Sequence, residues 1–287
     1  PERRGDGGTL PPAARAGDRL RRVRAGECHQ VHDPARAAEC YLAAAQAARA
    51  ADDLDRAVGD LERVLAFVPD ARPALEQLVD IHGRRGNADG LLQATQRLVA
   101  ATTDAREIVP LLEAVIPLAS ERLSDVLGIV DAAVVASGPS LTFARLRAAA
   151  HESAGQVEDA ALALRAEVLR TPDDAEAEET LAAFLAAKEG DDRVLSIRRW
   201  LLEQRVARAE GAGSPVDALL DLATFERVHA KDPAAAARLL DRVLDASPDE
   251  SRALAARYDI ARSAGDHAAA ARCLRAWRDV ETDAERR

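Results

Sequence analysis

The sequence predicts an all-α solenoid of about seven helix-turn-helix repeats. Three observations carry the prediction. Turn pairs recur at Ala51-Asp52-Asp53, Gly86-Asn87, Gly155-Gln156, Gly190-Asp191 and Gly265-Asp266, each between two apolar-periodic stretches. Their spacing is close to constant: 34 residues from Asp52 to Gly86, 35 from Gly155 to Gly190 and 34 from Lys231 to Gly265. Within a repeat the apolar residues return every three or four positions, as in Leu54, Val58, Leu61, Val64, Leu65 and Phe67, which lays one stripe along a helix.

Composition agrees with thin helical layers. Of 287 residues 48% are hydrophobic but only 3% aromatic, so Ala, Leu and Val supply the apolar share. Alanines 57, 160, 236 and 270 each stand five residues after a turn, where two helices must approach closely and a larger side chain would hold them apart. Pro69, Pro172 and Pro248 follow the second helices, which they cannot continue. The repeat from Arg106 to Ser137 has Pro110 and Pro117 in or beside its first helix and no Gly-Asp turn, so a kinked or shifted helix is expected there.

The near copies His32-Asp33-Pro34-Ala35-Arg36-Ala37-Ala38, Lys231-Asp232-Pro233-Ala234-Ala235-Ala236-Ala237 and Gly265-Asp266-His267-Ala268-Ala269-Ala270-Ala271 sharpen the repeat. Together with Tyr41 at a first-helix aromatic position, Ala57 and the terminator Pro69, they resemble the tetratricopeptide-repeat family over about residues 18–280. The first copy suggests that the helix from Ala35 to Ala48 completes a unit begun near Asp18 while also serving as the first helix of the next, an assignment the sequence leaves open. The resemblance implies a right-handed superhelix whose first helices line a concave groove that binds other proteins.

The expected organisation is an N-terminal arm over 1–17, a main repeat stack over 18–210, a linker over 211–215 (Gly211-Ala212-Gly213-Ser214-Pro215) and C-terminal hairpins over 216–287. The family's groove positions carry over to Glu76 and Asp80, Arg145 and Glu152, Thr180 and Phe184, Asp221 and Phe225, and Asp259 and Arg262, with Lys188 nearby. Phe184 and Phe225 are candidate apolar anchors or, alternatively, packing residues between repeats. The Lys and Asn clamp that some relatives use for a chaperone tail is replaced by Leu42, Gln46, Glu76 and Asp80.

Net charge is −10, and Lys188 and Lys231 are the only lysines, a balance opposed to nucleic-acid binding. Twelve acidic residues lie between Glu152 and Asp192 against Arg165, Arg170 and Lys188, as a solvated face or as a docking surface for a basic partner. The arginines 15, 19, 21, 22 and 24 offer a surface for self-association, or a solvated first helix. Cys28, Cys40 and Cys273 form no closely spaced pair, which suggests reduced thiols in a cytoplasmic setting. No apolar run spans a bilayer, and a start at Pro1 with no Met anywhere suggests a segment of a longer protein, from which a targeting signal could be lost.

Chemistry is sparse. Gly211-Ala212-Gly213-Ser214 lacks the ending of a phosphate loop. Cys28, His29 and His32 could supply part of a metal site, without a paired Cys-x-x-Cys; no metal or other cofactor is expected. His82 and His151 occupy equivalent first-helix positions, which points to shared packing. No carboxylate pair has a nucleophile or base partner, so no enzyme activity is expected. The expected function is a protein-interaction scaffold or adaptor. The alternative is a regulatory or sensor domain of a longer signalling protein or enzyme, and an RNA-binding repeat is disfavoured by the acidity.

Overall fold

The structure is a computed structural model that describes residues 33–285, with side chains to Val280. Among the described residues it holds fourteen α-helices and no strand. They are α1 Pro34–Ala50, α2 Leu54–Phe67, α3 Arg72–Arg85, α4 Ala88–Ala100, α5 Ala105–Val115, α6 Ala119–Ser137, α7 Leu141–Ser153, α8 Val157–Arg170, α9 Ala175–Ala187, α10 Leu195–Gly211, α11 Val216–Val228, α12 Pro233–Ala246, α13 Ser251–Ser263 and α14 His267–Glu285. Odd-numbered helices are the first and even-numbered ones the second of successive helical pairs, with α1/α2, α3/α4, α5/α6, α9/α10, α11/α12 and α13/α14 packed as hairpins.

One device starts most of the second helices. The first helix ends, one residue turns into the left-handed region, and the next residue caps the second helix. Asp52, Gly86, Gly155, Gly190, Lys231 and Gly265 are the left-handed residues, with φ between 57° and 89°. Asp53, Asn87, Asp232 and Asp266 then accept the amide three residues on, at 3.2, 3.1, 2.8 and 2.9 Å. In four turns the residue after the left-handed one donates its N–H five residues back, Asp53 to Ala48, Asn87 to His82, Gln156 to His151 and Asp266 to Ala261, closing the first helix. The 34-residue period is therefore a repeated set of hydrogen bonds.

The third hairpin departs from this pattern as its prolines predict. Pro110 lies inside α5, a 3₁₀ turn covers Ile116–Leu118, and α6 is broken at Arg122, whose φ of −128° and ψ of 42° are not helical.

Two compact units result, one ending at Gln156 and one beginning at Val157. In the first, α1 to α4 enclose Tyr41, Leu61, Val64, Leu75, Leu78 and Ile81, and α4 to α7 enclose Ile108, Leu112, Val126, Ile129 and Phe143. The helix from Ala35 to Ala48 forms a hairpin with α2, as expected of the first helix of a unit, and the earlier unit expected to begin near Asp18 lies outside the described residues. In the second unit α10 to α13 enclose Val206, Leu219, Phe225, Leu240 and Val243. Between α10 and α11 the Gly211–Pro215 segment is a turn closed by Ser214 N–H to Ala209 O at 3.0 Å. The four alanines expected at close helix approaches, 57, 160, 236 and 270, are all buried.

Cys40 is disulfide-bonded and Cys273 is free. This corrects the expectation that all the thiols are reduced. Cys28, His29, His32 and the N-terminal arginines lie outside the described residues.

Candidate functional site

Clefts open between successive first helices in both units. In the first unit, Gln46, Arg49, Ala50, Asp52 and Leu54 face Gln77 and Arg84 of α3 around a cleft of about 420 Å³. Arg49 donates to Asp80 Oδ2 at 2.5 Å and to Gln77 Oε1 at 3.3 Å, and Arg84 donates to Asp80 Oδ1 at 2.8 Å. Asp80 is therefore held between two guanidinium groups. Glu76 accepts from Arg72 at 2.7 Å, and Arg72 also reaches Glu107 at 2.8 Å. Its hydrogen bonds to Glu107 and then to Glu76 raise the Arg72 pKa well above its ordinary value. The two predicted acidic groove residues α3 contributes are thus bonded to arginines across and along the helices.

Arg145 and Glu152 are exposed on α7, far apart along that helix. In the second unit, Phe184 of α9 is half-buried and the Lys188 ammonium lies 5.8 Å from its ring centroid. Thr180 donates its hydroxyl to Glu176 O at 2.7 Å.

Between α11 and α13 a cleft of about 320 Å³ is lined by Leu220, Asp221, Thr224, Arg227, Leu240 and Arg252. Arg227 also borders a neighbouring cleft of about 330 Å³ with Pro233, Asp259, Ile260 and Ser263. Arg262 pairs loosely with Asp259 at 3.9 Å and lies 5.9 Å from the Tyr258 ring centroid. Asp221, Asp259 and Arg262 are all exposed.

Phe225 is placed otherwise. It is 4% exposed, packs in the core and stacks on His229 at 5.7 Å, so of the two roles the sequence allows it takes the packing one. The cause is an extra residue in its turn: Asp232 N–H donates to Glu226 O, spanning six residues where four of the other turns span five. One residue is 100° of helix, so Phe225 shares the core register of Ile81 and Ile260, and Thr224 takes the groove position.

Sequence reasoning missed Arg49, Gln77, Arg84, Thr224, Arg227 and Arg252. The signal was available for part of this set, because Arg49, Arg84 and Arg227 fall in the last turn of their first helices, where a cation also complements the helix dipole.

The opposite side carries a cleft of about 340 Å³ between α2, α3 and α4, lined by Glu62, Leu78, His82, Gly90, Gln93 and Arg97. His82 is 8% exposed, with Nδ1 at 3.1 Å from Asn87 Nδ2, and His151 pairs with Gln156 at 3.0 Å. Both histidines contact the residue after the left-handed glycine, a packing role repeated in two hairpins. Burial lowers the His82 pKa, outweighing the pull of Glu62, with Arg85 acting in the same direction as burial. Among the described residues no group of three His, Cys, Asp or Glu side chains is placed to hold a metal ion, and no helix is long and apolar enough to cross a membrane.

No protein-family model matches the chain, and no curated protein matches it. Solved structures that resemble it include YrrB, described as a tetratricopeptide protein with an unusual peptide-binding site, at 17% identity over 77% of this chain and 91% of that one, with a TM-score of 0.27. A C-terminal part of a tetratricopeptide-containing protein from Cytophaga hutchinsonii aligns at 12% identity over 85% and 94%, with a TM-score of 0.33. PilW, a type IV pilus biogenesis factor, aligns at 13% over 82% and 90%, with a TM-score of 0.27. The tetratricopeptide-like character of this chain rests on its own 34-residue turn register, its small-residue contacts and its proline terminators.

Proposed function

We propose that the chain is a protein-interaction scaffold whose clefts between successive first helices hold extended segments of partner proteins. The observation that supports this most is the recurrence of such a cleft at α1/α3 and again at α11/α13, each polar at its rim, with Leu54 or Leu220 and Leu240 beneath. A hairpin of this size depends on its neighbours for stability, and stacking leaves the first-helix side as the available surface. Glu76, Asp80, Arg145 and Glu152, with Gln46 and Gln77, are proposed to border segments bound in the first unit, and Phe184, Lys188, Asp259 and Arg262, with Thr224 and Arg227, segments bound in the second. Phe225 supports this face from beneath.

Rim charges set orientation and on-rate more than affinity, so the arginine and carboxylate mixture favours a partner segment of mixed charge. The exposed acids on α8 and α9 favour a basic element at that end.

The test is site-specific photo-crosslinking in the native source, with the probe at position 77 or 224 and, as a control on the opposite side, at 93. Links from 77 and 224 to defined segments of a partner, absent from 93, support the reading. Links from 93 alone contradict it.

A further inference from the structure

The two clefts between first helices differ in the state of their charges. In the α1/α3 cleft the groups answer one another: Asp80 is held by Arg49 and Arg84, and Gln77 accepts from Arg49 and donates to Pro73 O at 3.1 Å. A ligand charge entering there must displace a bond already made, which cancels most of what it gains. In the α11/α13 cleft the side chains of Asp221, Thr224 and Arg227 have no hydrogen-bond or ion-pair partner among the described residues. Thr180 on α9, by contrast, bonds back to Glu176 O of its own helix. Arg252, the other cation lining the α11/α13 cleft, is taken by Asp217 at 2.8 Å and Glu250 at 2.9 Å. An acid, a hydroxyl and a base thus stand open along one helix.

Their spacing selects what can meet them. Positions 221, 224 and 227 follow an i, i+3, i+6 ridge of α11. From the rise and radius of an α-helix the first and last lie about 10 Å apart, with Thr224 midway. Leu220, Ala223 and Leu240 also line the cleft, and α13 contributes the small Ala256. A bound chain must therefore present two side chains of opposite charge on one side at about that distance. A helix, about 10–12 Å across, does not enter a cleft of about 320 Å³. A β-strand places same-side residues about 7 or 14 Å apart, and a three-residue step turns the side chain away. Polyproline II has three residues per turn at about 3.1 Å each, so residues three apart share a side at about 9 Å. Its carbonyls make no internal hydrogen bond, which leaves one to accept from the Thr224 hydroxyl.

We infer that the α11/α13 cleft is the sequence-selective one, and that it takes a polyproline-II segment bearing a basic and an acidic residue three positions apart, the basic one on Asp221 and the acidic one on Arg227. The inference rests on the scaffold reading and adds to it which partner segments the second unit accepts. Rim charges of opposite sign discriminate more than they hold, because a segment of the wrong charge meets like charge and leaves an open group unmatched. Either chain direction satisfies the pair, so the order of the two charges is read from the experiment.

A display library of random peptides, selected on the whole chain and on its Asp221→Lys and Arg227→Glu variants, tests this. The unmodified chain is expected to enrich peptides with opposite charges three residues apart, and each variant to reverse the sign of one of them. Synthetic peptides from the first selection, followed by fluorescence anisotropy, are expected to lose at least about tenfold in affinity for Arg227→Glu and to recover when their acidic residue is replaced by lysine. Both positions are exposed, and far-UV circular dichroism checks that the variants fold. Should one variant unfold, the other decides. Peptides that crosslink to a probe at position 224 yet carry no such pair, carry it at another spacing, or keep their motif on the variants would overturn the inference and leave the scaffold reading standing. Failure to recover any peptide that links at 224 would overturn both.

Discussion

Gly90 on α4 lies so close to His82 on α3 that a Cβ built there would stand 2.5 Å from Nδ1. At the same turn register other hairpins carry the much smaller Ala48 and Ala261. Gly90 therefore accompanies His82 as its packing complement. In an ordinary helix interior Gly→Ala stabilises by about 1 kcal/mol. Here the sign reverses: Gly90→Ala is expected to destabilise by about 1–2 kcal/mol, through overpacking. In the His82→Ala background the same change is expected to recover the ordinary gain. A double-mutant cycle by urea denaturation measures the coupling. Additive effects would remove the claim that the two residues share one space.

Lys231 holds a φ of 57° at a turn position where Gly86, Gly155, Gly190 and Gly265 hold theirs without a Cβ. The left-handed conformation costs a side-chain-bearing residue about 1 kcal/mol or more. Lys231→Gly is expected to stabilise by about 0.5 kcal/mol, net of the unfolded-state entropy that glycine adds. Gly265→Ala is expected to destabilise by about 1 kcal/mol, since the added Cβ has nothing within 4 Å and only the backbone term remains. Thermal denaturation of both variants checks the pair.

Thr95 fills a register that is leucine in four other second helices, and its hydroxyl is buried with no hydrogen-bond partner. Thr95→Val keeps the shape and removes the unpaired group. A gain of about 1 kcal/mol is expected, measured by urea denaturation.

Glu178 joins α9 to α10 through Arg205 at 2.7 Å and Arg208 at 2.5 Å. Burial opposes its ionisation, but the two guanidinium bonds prevail and lower its pKa below the ordinary 4.5. A carboxylate depressed in the folded state stabilises fully above its unfolded pKa and loses that contribution as pH falls through the folded value. Glu178→Gln is expected to cost about 1–2 kcal/mol at pH 7, with the gap to the unmodified chain closing as pH falls below the ordinary carboxylate range and through the depressed folded value. A gap that shows no dependence on pH would show that the loss is one of packing.

Much of this was legible in the sequence because the repeat is written in residue types with one physical use each. Ala57, Ala160 and Ala236 are fully buried where two helices touch, Pro69, Pro172 and Pro248 follow their helices, and Pro110 and Pro117 mark the irregular hairpin. What was not legible depends on single-residue phase. Phe225 looked like a groove residue until the six-residue hydrogen bond from Asp232 to Glu226 rotated it into the core. Glu76 and Asp80 were placed on the correct helix, but their bonds to Arg72, Arg49 and Arg84 come from pairs along one helix and between neighbouring hairpins, which a one-dimensional pattern does not encode. The disulfide at Cys40 was hidden for a similar reason, since spacing along the chain does not report proximity in space.

The measurement that tests the central claim most directly is backbone hydrogen exchange of the whole chain with and without the partner recovered through positions 77 and 224. Scaffold binding in the clefts predicts slowed exchange in first helices, most of all in α1, α3, α11 and α13, with α2, α4 and α12 little changed. Slowed exchange confined to the second helices, or absent from both clefts, would contradict it.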